Sequence, residues 1–217
     1  MSEPPFTVIH RSLFTIDGCQ VKLYMTDISG NSYKVRVLAS ILNVPYEKVY
    51  VDWDSREHKQ APFLKLNPRG QVPVMEIEGK VFWDSTAHLV YVARKYGGER
   101  WLPADPLGMA EVAQWLAFAQ NEIHFGLQWS RGVMKGLKTG SLQEYQGYGR
   151  KALEVLAWHL NDHEWLAVGR PTIADIACYP YVRRAPEGGF VLDAYPAVVT
   201  WLERCEAQPG WLKLSEQ

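Results

Sequence analysis

Three short stretches of this 217-residue sequence put hydroxyl, amide and carboxyl side chains at points where the chain changes conformation. Ser29, Asn31 and Ser32 fall between an alternating apolar run and a run with helical spacing. Asp84 and Ser85 open a later helical run, and the segment Asn67-Pro68-Arg69-Gly70-Gln71-Val72-Pro73 leads into a β-rich one. The first N–H groups of a helix have no partner inside it, and with a neighbouring hydroxyl they hold a carboxylate or similar anion. The same residues also act as plain helix caps, so both roles stand for Ser29, Asp84 and Ser85. His159 and His163 share one helix face at i, i+4, a spacing able to hold a metal. No third ligand accompanies them, so a solvated helix end is expected and no metal. Arg131, Lys135 and Lys138 sit in a glycine-containing connection, where basic residues meet an anionic substrate or are simply solvated; solvation is the plainer expectation.

Composition narrows the class of protein. With 47% hydrophobic and 22% charged residues the chain can bury a full core, as one large domain or two small ones. Its 23 basic and 24 acidic residues nearly cancel, so no overall field draws nucleic acid or an anionic membrane. Cys19, Cys178 and Cys205 are odd in number and form no CxxC, which reads as reduced thiols in a cytoplasmic protein. No segment has the apolar run of a signal peptide or a membrane helix.

The elements that must position these residues change character along the chain. Val21, Leu23 and Met25 alternate as in a half-buried strand. Val35, Leu38, Ala39 and Leu42 then recur at helical spacing, ended by Asn43 and Pro45, and residues 47–52 read as a second strand. This predicts a parallel βαβ unit. After a variable helical loop, residues 72–83 read as two strands joined by a tight hairpin at Glu78-Gly79-Lys80. A helix with Leu89, Val90 and Ala93 inside follows, closed by Gly97-Gly98. Beyond a linker at 99–106 only helical periods occur. One long helix carries Val112, Leu116, Ala119, Ile123 and Leu127; a second carries Ala152, Val155, Leu156 and Leu160; a later one carries Val198, Trp201, Leu202 and Cys205. Thr172, three residues before Asp175, is a capping box and is read as structural.

Four motifs in this order and spacing resemble the cytosolic glutathione transferase family. They are Ser29-Gly-Asn-Ser-Tyr-Lys-Val-Arg36, Asn67-Pro-Arg-Gly-Gln-Val-Pro73, Asp84-Ser-Thr-Ala87 and Thr172-Ile-Ala-Asp175, and the likeness spans about residues 22 to 214. The branch it resembles is serine-type: theta-, zeta- or delta-like, bacterial or fungal. The resemblance implies an α+β fold, with a thioredoxin-like βαβαββα domain at 21–98 and an all-α domain at 107–217. Residues 1–20 are an extension outside the likeness, with a hairpin turn expected at Asp17-Gly18. It also implies a cytoplasmic homodimer that takes glutathione as co-substrate, with no metal, and a small hydrophobic or electrophilic molecule as second substrate.

The resemblance carries over to individual residues. Pro73 matches the family's cis proline, and the main chain of Val72 pairs with the cysteinyl unit of the peptide as an added strand does. Asp84 and Ser85 match the γ-glutamyl site, where glutamate is more usual than aspartate. Gln71 matches a peptide contact, and His58 a histidine at the glycyl carboxylate, with a solvated helix residue as the alternative. Ser29 aligns with the hydroxyl that activates the thiol; Ser32 and Asn31 compete for that role. The tyrosine of other classes falls on Met25, which leaves Tyr24 as packing. His124 lies in the stretch that forms the family's second-substrate pocket, as a hydrogen-bond donor or a core histidine, whereas Phe125 and Trp129 read as core. The rival functions are a non-catalytic glutathione- or partner-binding protein of the same fold, and a glutathione-dependent isomerase, peroxidase or disulfide reductase.

Overall fold

The computed structural model describes residues 21–214, which divide into two compact units: residues 21–92 with Leu214, and residues 93–213. The hairpin expected at Asp17-Gly18, Cys19 and the rest of the extension lie outside the described residues.

The first unit is a four-stranded sheet with helices. Strand β1 (Lys22–Met25) leads to helix α1 (Gly30–Ile41) and to β2 (Glu47–Tyr50), which pairs parallel to β1. A 3-10 turn at Glu57–Lys59 and helix α2 (Ala61–Leu66) follow. Strands β3 (Val74–Ile77) and β4 (Lys80–Trp83) then form an antiparallel hairpin before helix α3 (Ser85–Val92). Glu78 and Gly79 both have positive φ, 53° and 70°, the backbone that matches a two-residue hairpin to strand twist. The sheet order is β2-β1-β3-β4, with β3 antiparallel to β1. Tyr24, Val49, Val51, Phe63, Val72 and Val74 form one buried cluster, with Trp53 and Leu66 packed against it. Of the residues expected inside α3, Leu89 and Ala93 are buried but Val90 is exposed; His88 and Val92 take the inner face instead.

The second unit is helical among its described residues. After a π-helical turn at Ala93–Gly97 comes a short helix α4 (Gly98–Trp101), so the glycine pair is followed by another helical turn. Helix α5 (Pro106–Gln120) is capped by Asp105, which accepts from the Gly108 N–H at 2.8 Å, with proline in the first turn, where no N–H is needed. The single long helix expected to reach Leu127 is instead broken. Asn121 leaves helical geometry (φ −106°, ψ −86°), and a π-helical segment, His124–Gln128, leads into α6 (Trp129–Met134). Helices α7 (Leu142–Leu160), α8 (Ile173–Arg183) and α9 (Pro196–Glu206) complete the unit. On α7 the inner face is Gly149, Ala152, Leu153, Leu156 and Leu160, while Val155 is turned outward. Cys178 and Cys205 are buried free thiols, and burial pushes the Cys205 pKa up, so neither is poised to react. No helix among the described residues is long and apolar enough to cross a membrane.

The capping box at the start of α8 is present: Ala174 N–H donates to the Thr172 hydroxyl at 3.2 Å and Thr172 N–H to the Asp175 carboxylate at 2.9 Å. Asp175 also accepts from Leu166 N–H at 3.2 Å and from the Trp201 indole at 2.9 Å, so one buried carboxyl ties a loop and two helices together. Burial pushes its pKa up to about 6, against the opposing pull of these donors. Asp175→Ala leaves several buried donors unpaired and is expected to cost about 3 kcal/mol or more in denaturant unfolding. Because the folded pKa lies above the ordinary 3.8, this carboxyl's contribution is full below about pH 4 and declines as pH rises through about 6. Stability curves of wild type and variant should therefore converge across that window, and parallel curves would contradict the assignment.

Candidate functional site

Strand register brings the sequence motifs to one end of the sheet. Tyr24 near the end of β1 pairs with Val74 at the start of β3, and Val74 pairs with Trp83 at the end of β4. Parallel pairing sets Tyr50, the end of β2, beside Met25. The segments that leave β1, β2 and β4, and the turn that enters β3, therefore emerge together: residues 26–32, 51–60, 84–86 and 67–73.

Each segment is held by local hydrogen bonds. Ser29 (φ −80°, ψ 116°) is the N-cap of α1, and its Oγ accepts from the Ser32 N–H at 3.2 Å. A hydroxyl that accepts this way keeps its own proton for another partner. The Ser32 hydroxyl is fully buried without a hydrogen-bond partner, whereas Ser29 and Asn31 are partly exposed. Asn31 joins the two helix openings, its Oδ1 accepting from the Ser85 hydroxyl at 3.4 Å. Asp84 (φ 85°) caps α3 by accepting from the Thr86 N–H at 2.9 Å. Its other oxygen is ion-paired with Arg69 at 3.0 Å. Burial raises the Asp84 pKa, but the Thr86 N–H, Arg69 and the buried Lys34 more than offset it, and the carboxyl stays below its usual range.

The 67–73 turn ends in a cis Val72–Pro73 bond. Asn67, 2% exposed, donates from Nδ2 to the Gln71 carbonyl at 2.7 Å and accepts from Arg69 N–H at 3.0 Å. Lys59 reaches across to the Gly70 and Arg69 carbonyls at 2.8 and 3.2 Å. Gly70 has φ 57°, and a Cβ there would come within 2.7 Å of the His58 carbonyl. Val72 and Pro73 are buried, and the Gln71 side chain is exposed. His58 is not a solvated residue: it is buried and stacks on Trp53, with centroids 3.9 Å apart and planes 3° apart. Burial, then Lys59 and Arg56, lower its pKa, which keeps the ring neutral.

Several contributors had no clear sequence signal. Arg69, Lys59 and Trp53 act through long-range or irregular contacts. His88 is fully buried, with its pKa lowered by burial to about 4, so its neutral ring donates from Nε2 to the Phe82 carbonyl at 2.9 Å and fixes α3 against β4. Tyr24 is packing, as expected. Its hydroxyl donates to Glu76 at 3.2 Å, and burial with Glu76 pushes its pKa up to about 12.

In the helical unit His124 belongs to an aromatic group, edge-on to Phe125 at 5.0 Å and to Trp129 at 6.5 Å. Phe125 is 45% exposed and Trp129 is half-buried beside an open surface pocket, so neither is the plain core residue the sequence suggested. The basic connection is not simply solvated either. Glu187 accepts from Arg131 at 2.7 Å and from Lys135 at 2.8 Å, and Lys138 lies 4.1 Å over the Trp129 ring. His159 and His163 stack with parallel rings 4.2 Å apart; His159 meets the Trp165 carbonyl and His163 the His159 carbonyl. Lone pairs in parallel planes do not converge on one ion, so the pair does not fit a shared metal.

Known proteins share this architecture. The N-terminal domain family of glutathione S-transferases matches residues 19–94 and the C-terminal domain family matches residues 141–209. A maleylacetoacetate isomerase of Pseudomonas aeruginosa is 29% identical, over 88% of this chain and 93% of its own length. Glutathione S-transferase 3 of Zea mays is 31% identical, over 89% of this chain and 92% of its own. A crystal structure of a possible glutathione S-transferase from Rhodopseudomonas palustris superposes with a TM-score of 0.84 at 35% identity, covering 91% and 90% of the two chains. A thioredoxin-like sheet with this set of helix openings, followed by a helical unit, is the architecture of glutathione S-transferases, and the chain belongs to that family.

Asn67 is the residue on which the turn most depends. Asn67→Ala should lower urea-unfolding stability by about 1–3 kcal/mol, because it leaves the Gln71 carbonyl and the Arg69 N–H without their partner. Lys59→Met, at an exposed side chain, should cost less than about 1 kcal/mol. Equal losses would mean that the asparagine does not hold the turn.

Proposed function

We propose that this chain is a glutathione transferase that binds glutathione across the sheet end built by residues 29–31, 67–73 and 84–85 and presents its sulfur, as thiolate, to a small electrophile. The convergence of those three segments in one register row carries the reading. Ser85 and the N-terminus of α3 take the γ-glutamyl carboxylate, with Asp84 already neutralised by Arg69. The main chain of Val72, ahead of Pro73, takes the cysteinyl unit, Gln71 flanks the peptide, and neutral His58 faces the glycyl end. Residues 21–98 form this peptide-binding domain. Residues 107–217 supply the second-substrate pocket, to which His124 contributes.

Ser29 is the donor to the sulfur. Its hydroxyl keeps a proton to give and is partly exposed, whereas the Ser32 hydroxyl is sealed from solvent; Asn31 accepts from Ser85 through Oδ1 and keeps its Nδ2 protons, so it is the competing donor. A thiol with pKa ~8.5 is about 3% ionised at pH 7. Lowering that pKa by ~2 units requires ~2.7 kcal/mol. One hydrogen bond to a charged sulfur gives ~1.5–3 kcal/mol and the start of α1 up to ~1 more, which is enough. The ionised fraction then rises about 25-fold, while lower basicity costs about 8-fold in nucleophilicity. The net gain of about 3-fold leaves most of the acceleration to holding the electrophile beside the sulfur. Isomerisation by the same thiolate is a second reading, favoured by the likeness to maleylacetoacetate isomerase. Parallel turnover of halogenated arenes and of a cis-enedione separates the two.

We assign the protein to the cytoplasm, as a homodimer. Val81 and Trp83 on the edge strand β4, with Val90 on α3, leave apolar side chains exposed, as a surface covered by a second copy would. Light scattering at micromolar concentration should give twice the chain mass, and a monomer mass would refute the assembly. The thiolate assignment is read by ultraviolet titration of bound glutathione. Ser29→Ala should raise the thiol pKa by about 1–2 units, and Ser32→Ala should leave it in place. The reverse pattern would move the role to Ser32; no shift in either would give it to Asn31 or the main chain.

A further inference from the structure

Residues 26–28 join β1 to the cap of α1, and the place of Ser29 depends on how this short connection is held. On the helix side Ser29 is fixed by two bonds: its carbonyl accepts from the Tyr33 N–H at 2.9 Å and its Oγ from the Ser32 N–H at 3.2 Å. On the strand side an ion pair reaches back along the helix. Arg36 lies in the second turn of α1, and helix side chains lean toward the N-terminus. Its Nη1 donates to Asp27 Oδ1 at 2.9 Å, across nine positions of the chain. Tyr46, immediately before β2, is hydrogen-bonded to the same guanidinium. Burial raises the Tyr46 pKa, Arg36 opposes that rise and Asp27 adds to it, so the three side chains meet. The placement favours Asp27 and Tyr46 at the expense of Arg36 Nε, which is buried without a hydrogen-bond partner. With side chains 21% and 48% exposed, the Arg36–Asp27 pair adds little to global stability. Its contribution is geometric: a hydrogen bond weakens steeply with misalignment, and the connection it ties down carries Ser29.

We propose that Arg36 and Asp27 are positioning residues that hold the Ser29 hydroxyl in line with the sulfur of bound glutathione, an inference that rests on the transferase reading and on Ser29 as the donor. A strut and a field leave different signatures. Acting through its charge, Asp27 would disfavour a nearby thiolate, so removing it would lower the thiol pKa; removing the Arg36 cation would raise it. Acting as two ends of one strut they are equivalent. Loss of either frees the connection, weakens the Ser29 bond to sulfur and raises the thiol pKa. The signs of the two shifts therefore separate placement from field.

The thiol pKa of bound glutathione is read by ultraviolet titration for wild type, Asp27→Asn, Arg36→Gln, Arg36→Lys, Ser29→Ala and the double variant Asp27→Asn with Ser29→Ala. Calorimetry with S-methylglutathione, which has no thiol to ionise, measures the grip on the peptide, and circular dichroism verifies each fold. Asp27→Asn and Arg36→Gln should each raise the thiol pKa by about half a unit to one unit, a 3- to 10-fold loss of thiolate. S-methylglutathione affinity should stay within about 2-fold. Arg36→Lys keeps the charge without the planar fork and should fall between wild type and Arg36→Gln. In the Ser29→Ala background Asp27→Asn should add no further shift, because the strut then has nothing to place. Opposite shifts in Asp27→Asn and Arg36→Gln, no shift in either, a parallel loss of S-methylglutathione affinity, or an Asp27→Asn shift undiminished in the double variant overturns the proposal; where Ser29→Ala still raises the pKa, the transferase reading stands. A thiol pKa unmoved by Ser29→Ala overturns the proposal together with the assignment of Ser29.

Discussion

The pairing of β3 between β1 and β4 is the constraint on which the site depends. Because β3 runs against both neighbours, its first residue, Val74, stands beside the last residue of β4, Trp83, and the next-to-last of β1, Tyr24. Whatever precedes β3 must then meet whatever follows β1 and β4. A slip of one residue would turn every side chain of β3 to the other face, taking Val74 out of the core it shares with Tyr24 and Val72. Core packing thus fixes register, and register gathers segments that lie far apart in the chain.

Within that frame, polar groups are divided between holding the backbone and remaining available. Asn67, Lys59, Arg69 and Asp84 are engaged with carbonyls, N–H groups or one another, and they hold the turn and the start of α3. His88 does the same from beneath, as a neutral ring. The Ser29 hydroxyl differs, since it accepts one bond while keeping a proton to donate. This division lets a small thiolate be stabilised without leaving a buried charge unmatched when the ligand is gone.

The parts of this arrangement legible in the sequence are those with local causes. Hydroxyls before helical runs, a glycine in a hairpin and a threonine three residues ahead of an aspartate announce themselves within a few positions. The pairing of Arg69 with Asp84 spans 15 residues and that of Arg131 with Glu187 spans 56, and no local pattern encodes either. The outward turn of Val90 and Val155 was hidden because each lies beside a buried leucine, at 89 and 156, and periodicity alone does not decide between adjacent apolar residues. The break at Asn121 escaped because the apolar period continues through it to Ile123 and Leu127, both buried, so the pattern reads through a change of helix type. His58 was ambiguous for another reason: its stacking partner Trp53 lies in an irregular stretch where spacing carries no orientation.

The central claim is that the register row delivers the sulfur of glutathione to Ser29. A crystal structure of the glutathione complex tests it most directly. The account predicts the sulfur within about 3.5 Å of Ser29 Oγ, with the γ-glutamyl carboxylate at the N-terminus of α3 and the cysteinyl main chain against Val72. A peptide bound there with its sulfur on Asn31 or Ser32 and out of reach of Ser29, or a peptide bound away from these segments altogether, would contradict it.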